Sequence, residues 1–86
     1  MEDLRVIHSF QKNPEEEVRL TLREYKERQY LDLRLWYQPS NGGDYLPTKK
    51  GLTLSLEYLP ELKKGFERAS KVSAEMALQH PSNSLK

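Results

Sequence analysis

The sequence contains no cysteine among its 86 residues. Disulfide bonds and thiolate metal sites are therefore excluded, and the absence of cysteine fits a reducing compartment. No segment approaches the ~20 apolar residues that a membrane-spanning helix needs, and the acidic amino terminus has no continuous apolar stretch. These absences predict a soluble, intracellular protein.

The side chains on which catalysis commonly depends are also scarce. Only two histidines occur, His8 and His80, near opposite ends of the chain, and no serine lies in a nucleophile motif. The acidic run Glu15–Glu17 has neither the spacing of a metal-binding loop nor a histidine partner, so we interpret it as a solvated connector. We expect no metal, no cofactor and no enzymatic activity.

Size and charge distribution set further limits. A single domain of this length buries only a modest fraction of its surface, for which pairing with a second copy is an obvious remedy. The formal net charge is +1, yet residues 18–54 hold seven basic and four acidic groups, whereas residues 1–17 hold two basic and five acidic groups. The cations therefore collect in the middle of the chain, which hints at a polyanionic partner.

Apolar alternation predicts the first three strands. Residues 4–10 favour a short first strand with Leu4, Val6 and Phe10 in one phase and Ile7 on the other side, followed by a connector at residues 12–17. The second and third strands show a period of two, with apolar positions at Val18, Leu20, Leu22, Leu31, Leu33 and Leu35. The alternate positions carry the cations and rings Arg19, Arg23, Tyr25, Arg34 and Trp36.

The segments between these strands differ in how clearly their sequences predict a turn. Lys26–Gln29 lacks glycine and asparagine, so a longer or bulged turn is expected in place of a tight two-residue hairpin. Tyr37 lies in the phase of Leu35, and only a bulge or the strand's end would place it beside Arg34. Pro39–Asp44 is the strongest turn signal. Residues 45–48 then re-enter the sheet at an edge, where Pro47 is tolerated, and Lys49-Lys50-Gly51 leads into a short fourth strand with Leu52 and Leu54 on one side and Thr53 on the other.

A helical period replaces the strand period after Ser55, a suitable N-cap. Its apolar positions are Leu59, Leu62, Phe66, Ala69, Val72 and Met76. The prediction is an α+β domain over residues 1–78, a four-stranded curved antiparallel sheet followed by one C-terminal helix (β-β-β-β-α), with a flexible tail at 79–86. Either the sheet curls around the helix, or the helices of two protomers pack between two sheets, and we favour the homodimer.

Several motifs in this order resemble the DNA-binding domain of the transcriptional coactivator positive cofactor four family, in its short prokaryotic form. The resemblance covers residues 18–66. Its most specific pieces are Leu31-Asp32-Leu33-Arg34 before the pair Trp36-Tyr37, then Pro47-Thr48-Lys49-Lys50-Gly51-Leu52-Thr53-Leu54, then Glu57 and Leu59 at the helix start.

The resemblance implies a homodimer that binds single-stranded or unwound DNA with little sequence preference, in transcription regulation, replication or repair. It implies a location in the cytoplasm with the nucleoid, or in the nucleus of a eukaryote, and contacts with RNA polymerase or other transcription proteins. The nucleic-acid-binding residues it implies are Arg23, Tyr25, Lys26, Arg28, Arg34, Tyr37, Lys49 and Lys50, and Trp36 is an alternative ring.

The sequence departs from the family at several positions. Glu27 stands where a glycine is common in the second turn, the acids Glu15–Glu17 stand where the family is often basic, and Tyr25 replaces a phenylalanine but keeps the ring. The serine- and lysine-rich regulatory arm of eukaryotic members is missing, so the activities of that arm are not expected.

Structural explanations of the same residues stay open. The rings could complete a dimer core and the cations could be a solvated face, and Lys49-Lys50-Gly51 could bind phosphate or discourage edge-to-edge aggregation. Asp32 is interpreted as an ion-pair partner that orients Arg34. Alternative functions are a protein-interaction dimer that contacts the transcription machinery, and binding of single-stranded RNA.

Overall fold

The computed structural model describes residues 2–79, and for Glu2, Leu4 and Gln79 it describes the backbone alone. Strands β1 (Glu2–Asn13), β2 (Glu16–Tyr25), β3 (Arg28–Tyr37) and β4 (Leu46–Ser55) precede a 3-10 turn (Leu56–Tyr58) and helix α1 (Leu59–Gln79). The strands form one curved antiparallel sheet in the order β1-β2-β3-β4. The predicted order of elements is therefore confirmed.

The chain divides into two compact units, a sheet unit from Met1 to Leu56 and a helical unit from Glu57 to Lys86. Gln79, the first residue of the predicted tail at 79–86, is still helical, and the other residues of that prediction lie outside the described residues. Within residues 2–79, no helix has both the length and the apolar composition that crossing a bilayer requires.

Strand β1 is longer and less regular than the sequence indicates. Its register against β2 shifts at residues 4, 7 and 12. Because each bulge moves the alternation by one residue, Val6 lies opposite Thr21 on one face of the sheet and Phe10 lies opposite Val18 on the other. The prediction that Val6 and Phe10 share a face is therefore wrong.

The connector between β1 and β2 consists of only two residues, Pro14 and Glu15. Asn13 closes this turn, since its Oδ1 accepts hydrogen bonds from the backbone N–H groups of Glu15 (3.0 Å) and Glu16 (2.8 Å). An asparagine side chain can satisfy backbone donors in this way at a tight turn. Glu16 and Glu17 are consequently the first residues of β2, and the predicted six-residue connector is wrong.

The β2–β3 hairpin closes through the two residues Lys26 and Glu27, with Tyr25 paired to Arg28. Both turn residues have positive φ, 50° and 65°, which is the pattern of a type I′ turn. The expected longer or bulged turn is wrong. An uninterrupted register from Glu16↔Tyr37 to Tyr25↔Arg28 leaves only two residues for the turn, and this constraint overrides their poor fit to left-handed backbone.

The loop from β3 to β4 follows the predicted turn signal. The N–H of Gly42 donates to the carbonyl of Pro39 at 3.0 Å, Gly42 has φ of 79°, and Asn41 Oδ1 accepts from the N–H of Gly43 at 2.9 Å. Strand β4 then pairs only with β3 at the sheet edge. It has ten residues and is longer than predicted.

Helix α1 follows the apolar period but begins later than its predicted cap. The 3-10 turn separates Ser55 from Leu59, so Ser55 does not cap α1. Along α1 the large apolar side chains are exposed on the single chain, including Phe66 at 62%, except Leu62, which is half-buried.

The sheet has two chemically distinct faces, since directly paired residues of antiparallel strands project to the same side. The apolar face carries the leucines and valine of β2 and β3, with Leu52 and Leu54 of β4 paired to Leu33 and Leu31. The polar face carries Arg19, Thr21 and Arg23 of β2, paired with Arg34, Asp32 and Tyr30 of β3. Leu31 and Leu35 are buried on the apolar face, and Thr21 and Asp32 are buried on the polar face.

Candidate nucleic-acid interface

Asp32 is the centre of the polar face. It lies on β3 between Thr21 of β2 and Thr53 of β4. Thr53 Oγ1 donates to Asp32 Oδ1 at 2.6 Å, and the Arg34 guanidinium donates from Nη2 to Oδ1 at 2.9 Å and from Nε to Oδ2 at 3.1 Å. Arg23 Nη1 lies 4.0 Å from the same Oδ1. A buried carboxylate with these partners can stay ionised.

The same contacts set the protonation of this pair. Burial acts to raise the pKa of Asp32, but the hydrogen bonds from Arg34 and Thr53 and the charges of Arg34 and Arg23 outweigh burial, so the pKa lies below its ordinary value. The hydrogen bond to Asp32 raises the pKa of Arg34 above its ordinary value. The pair is therefore ionised at neutral pH, and the predicted role of Asp32 in orienting Arg34 agrees with this geometry.

A bulge in β4 lies next to Arg34. Arg34 pairs with Gly51 and Trp36 pairs with Pro47, so residues 48–50 of β4 lie opposite one residue of β3. Thr48 holds this bulge: its carbonyl accepts from Arg34 Nη1 at 2.9 Å, and its Oγ1 donates to the carbonyl of Leu35 at 2.8 Å. The bulge exposes Lys49 and Lys50, which follow Thr48 directly.

Gly51 allows the two strands to approach each other at this bulge. A Cβ at position 51 would lie 2.5 Å from the carbonyl oxygen of Leu33 and 2.7 Å from the Cα of Arg34. Both neighbours are backbone atoms of β3, which cannot rotate away. Any side chain at position 51 would therefore push β4 and its lysines outward.

The hairpin end of the polar face presents a second group of cations with a ring. Tyr25 is exposed, and Lys26 Nζ lies 5.3 Å from the centroid of its ring. Arg28, directly paired with Tyr25, is also exposed. Arg34 lies six positions after Arg28 along β3. At a rise of ~3.3–3.4 Å per residue, the two positions are about 20 Å apart.

The two candidate rings of β3 lie on opposite faces. Trp36 pairs with Glu17 and Pro47 on the polar face, whereas Tyr37 pairs with Glu16 and Leu46 at the end of the apolar face. A bulge in β3 would have been needed to turn Tyr37 toward the polar face. The bulge lies in β4 instead, so the side chains of β3 keep their regular alternation. Tyr37 is half exposed as the last residue of the strand, and its part in binding stays a prediction.

Glu16, the residue paired with Tyr37, belongs to the acidic run Glu15–Glu17 and contacts both Asn13 and Lys12. A hydrogen bond from Asn13 Nδ2 to Glu16 Oε1 (2.6 Å) is the main cause of a lowered pKa for Glu16, with further lowering by the charges of Lys12 and Lys50. Lys12 Nζ lies 3.7 Å from the same oxygen. Glu16 is therefore a turn and ion-pair residue, and Lys50 acts on the same end of the sheet.

Sequence reasoning missed a cluster at the other end of the polar face. The Arg19 guanidinium carbon lies 4.4 Å from the Trp36 ring centroid and 5.3 Å from that of Tyr45, and Arg19 Nε lies 2.6 Å from Glu17 Oε1. Gln11 Nε2 also donates to the Tyr45 hydroxyl at 3.1 Å. The alternation of the sequence already places Arg19 and Trp36 on the same face of the sheet. No sequence pattern indicates that Tyr45 lies beside them.

The cations of the sheet fall into two groups by their partners. The three arginines at the centre of the polar face are each paired with a carboxylate: Arg19 with Glu17, Arg23 with Asp3 and Arg34 with Asp32. Within residues 2–79, no ion pair involves Arg28, Lys49 or Lys50. The cations of the interface that have no ion-pair partner therefore lie at the hairpin end and at the β4 bulge.

The fold and this face define the class of the protein, a β-β-β-β-α domain with an arginine-rich polar sheet face. The model of the family described as Transcriptional Coactivator p15 (PC4) matches residues 12–65. This match spans more than half of the sequence, so the chain belongs to the PC4 family. No curated protein sequence matches the chain.

Solved structures agree with this assignment. The chain is similar to a PC4 homologue of Burkholderia pseudomallei, with 30% identity and a TM-score of 0.71 over 81% of this chain and 93% of that one. It also shares its fold, at 22% identity and a TM-score of 0.58, with a bacteriophage T5 homologue of the eukaryotic transcription coactivator PC4 that is implicated in recombination-dependent DNA replication. The second comparison covers 95% of this chain and 90% of that one.

Among residues 2–79, no group of three or more histidine, cysteine or carboxylate side chains is arranged to hold a metal ion. Neither His8 nor an acidic residue of the sheet joins such a group. The arrangement of the described residues suits the binding of an anionic, ring-bearing ligand by cations and aromatic side chains.

Proposed function

We propose that this protein binds single-stranded DNA with little sequence preference, as a homodimer, at melted DNA in transcription regulation, replication or repair. Membership of the PC4 family supports a DNA-binding role. Phosphates would be bound by the cations of the hairpin and of the β4 bulge, and bases would stack on exposed rings such as Tyr25, each stacked base contributing ~1–3 kcal/mol.

One observation carries this proposal: at the candidate interface, the cations with no carboxylate within ion-pair distance occur in two exposed groups about 20 Å apart along the sheet. Arg28 with Lys26 lies at one end of this span, and Lys49 and Lys50 lie at the other. Between them lie the three arginines that are paired with carboxylates. A flexible single strand can bend to place successive phosphates at both groups.

The homodimer rests on how few apolar residues a single chain buries. Leu31 and Leu35 are the buried large apolar residues among those described, while Leu33, Leu52 and Phe66 are all exposed. Apolar residues recur along α1 at steps of three and four, at Leu59, Leu62, Phe66, Ala69, Val72 and Met76, and all of them except the half-buried Leu62 are exposed. A contiguous apolar stripe of this kind commonly marks a protein interface.

The β4 bulge provides the sharpest test. Lys49→Gln with Lys50→Gln removes two charges from exposed positions, whereas Arg34 is unsuitable because it is bonded to buried Asp32. Lys63→Gln with Lys71→Gln on α1 removes the same charge and serves as the control. Affinity for a fluorescent oligo(dT) would be measured by anisotropy over a range of salt concentrations.

The bulge variant should bind about 30-fold more weakly, because two lost contacts at ~1 kcal/mol each amount to ~2 kcal/mol. The slope of log K against log salt should become shallower by ~1.4, because each phosphate neutralised on a single strand contributes ~0.7. The helix control should bind like the wild type. Equal affinities and slopes for all three proteins would contradict the proposal, and tighter binding of the matched ribo-oligomer would assign the site to RNA.

The dimer has its own test. The wild-type protein should sediment at twice the chain mass, and Phe66→Glu should shift it toward the monomer because a charge would be placed in the apolar stripe. Glu67→Gln, at an exposed neighbouring position, should leave the dimer intact. A monomeric wild type at micromolar concentration would contradict the homodimer.

A further inference from the structure

The three arginines at the centre of the polar face differ in how their carboxylate partners are placed. Glu17 and Asp32 each lie two residues before their arginine on the same strand. Asp3 instead belongs to the neighbouring strand β1, where it is directly opposite Arg23 in the register. Arg23 is thus the only one of the three arginines whose nearest carboxylate belongs to the edge strand, while its Nη1 also lies 4.0 Å from Asp32 Oδ1.

The partners also differ in their access to solvent. The exposed fraction of the side chain is 2% for Asp32, 18% for Glu17 and 51% for Asp3. Asp32 also accepts a hydrogen bond from Thr53. Separating the Asp32 carboxylate from Arg34 would leave a buried charge without its ion-pair partner, which is costly. The half-exposed Asp3 can be rehydrated at little cost.

The contact between Asp3 and Arg23 is an ion pair at the edge of the sheet. Asp3 Oδ1 lies 2.7 Å from Arg23 Nε, and the side chain of Asp3 is 51% exposed. Exposed ion pairs of this kind contribute little to stability. A phosphate oxygen can therefore compete with the Asp3 carboxylate for the same guanidinium.

We propose that Asp3 is an electrostatic competitor of the ligand, which occupies Arg23 and thereby weakens the binding of a single strand at the centre of the polar face. This inference rests on the proposed function and adds a residue that regulates the strength of the same site. Asp3 lies outside residues 12–65, the part that matches the family. The competitor is therefore a feature of this chain that the family match does not include.

A double-mutant cycle with oligo(dT) tests this inference. Asp3→Asn should tighten binding by about two- to fivefold, the change in Kd that corresponds to an exposed ion pair. In the Arg23→Gln background, Asp3→Asn should have no effect because there is no guanidinium to release. The gain in affinity should shrink as salt rises, since salt screens exposed pairs.

Two further variants complete the design. Asp3→Glu keeps the charge and should bind like the wild type, and Glu61→Gln removes one negative charge from the exposed surface of α1 and should also leave the affinity unchanged. Far-ultraviolet circular dichroism would verify that each variant is folded.

The outcomes are distinguishable. Unchanged affinity of Asp3→Asn beside a binding wild type would overturn this inference alone. Equal tightening with and without Arg23 would also overturn it, because the effect would then be one of overall charge. Absence of binding by every variant would overturn the proposed function and this inference together.

Discussion

Gly51→Ala should disrupt the β4 bulge, and the structure allows the size of the effect to be worked out. The added Cβ would lie 2.5 Å from the carbonyl oxygen of Leu33, whereas ordinary contacts begin at 3.4 Å. Strand β4 would have to move away from β3 by about 0.9 Å, which would stretch a backbone N···O distance of ~2.9 Å beyond the limit of a hydrogen bond.

The expected cost follows from the bonds that would be stretched. One or two backbone hydrogen bonds next to Arg34 would be lost, each contributing about 0.5–1.5 kcal/mol. The free energy of unfolding should therefore fall by ~1–3 kcal/mol, within the range for overpacked sites. For a domain of this size, such a loss lowers Tm by roughly 4–8 °C per kcal/mol.

Thermal and urea denaturation at a fixed protein concentration would measure this change. Gly65→Ala is the matched control: a Cβ at position 65 meets no atom within 4 Å, and alanine is favoured over glycine inside a helix by about 1 kcal/mol. The same substitution should thus destabilise the protein at position 51 and stabilise it at position 65. A Gly51→Ala protein as stable as the wild type would refute the reasoning about the close approach of β3 and β4.

Three other substitutions probe separate features. Glu27→Gly should raise the free energy of unfolding by about 0.5–1 kcal/mol in urea titrations, because glycine adopts positive φ without the strain of a side chain. Asp32→Asn should lower it by ~3 kcal/mol at neutral pH, since the Arg34 guanidinium would lose its partner. Arg19→Gln should lower it by about 1 kcal/mol and change the emission of Trp36, the only tryptophan, because the cation over the indole ring contributes ~0.5–1 kcal/mol.

Asp32 also predicts a pH dependence with a definite sign. Its folded pKa is lowered, so its contribution to stability is fully present above the unfolded pKa of about 3.9 and is lost as pH falls through the lower folded pKa. Acid titrations of stability should therefore show a shallower loss below about pH 4 for Asp32→Asn than for the wild type. Parallel acid titrations of the two proteins would contradict the role of Asp32. A Glu27→Gly protein less stable than the wild type would contradict the argument about positive φ in the turn. Trp36 emission unaffected by Arg19→Gln would contradict the contact between that arginine and the indole ring.

The regular part of the fold could be predicted from the sequence because its residues follow one rule. Leucines at alternate positions fix the faces of β2 and β3, and the same alternation places Asp32, Arg34 and Trp36 together on the other face. Since no bulge interrupts β3, the same alternation also places Tyr37 correctly on the apolar face.

The rest depends on contacts that a local pattern does not encode. The bulges of β1 reverse the faces of Val6 and Phe10 without any glycine or proline to mark them. Lys26 and Glu27 adopt left-handed backbone because strand pairing forces them to, against their own preference. The ring of Tyr45, in the loop before β4, lies 5.3 Å from Arg19 of β2, a contact between residues that are distant in the sequence.

The proposed preference for single strands can be tested most directly by competition. A fluorescent oligo(dT) bound to the wild-type protein would be displaced by unlabelled oligo(dT) or by a duplex of the same length at the same low salt concentration. The single strand should compete far better, because its bases can stack on exposed rings whereas those of a duplex are paired inside the helix. Equal competition by the duplex, or no binding of the labelled strand at all, would contradict this expectation.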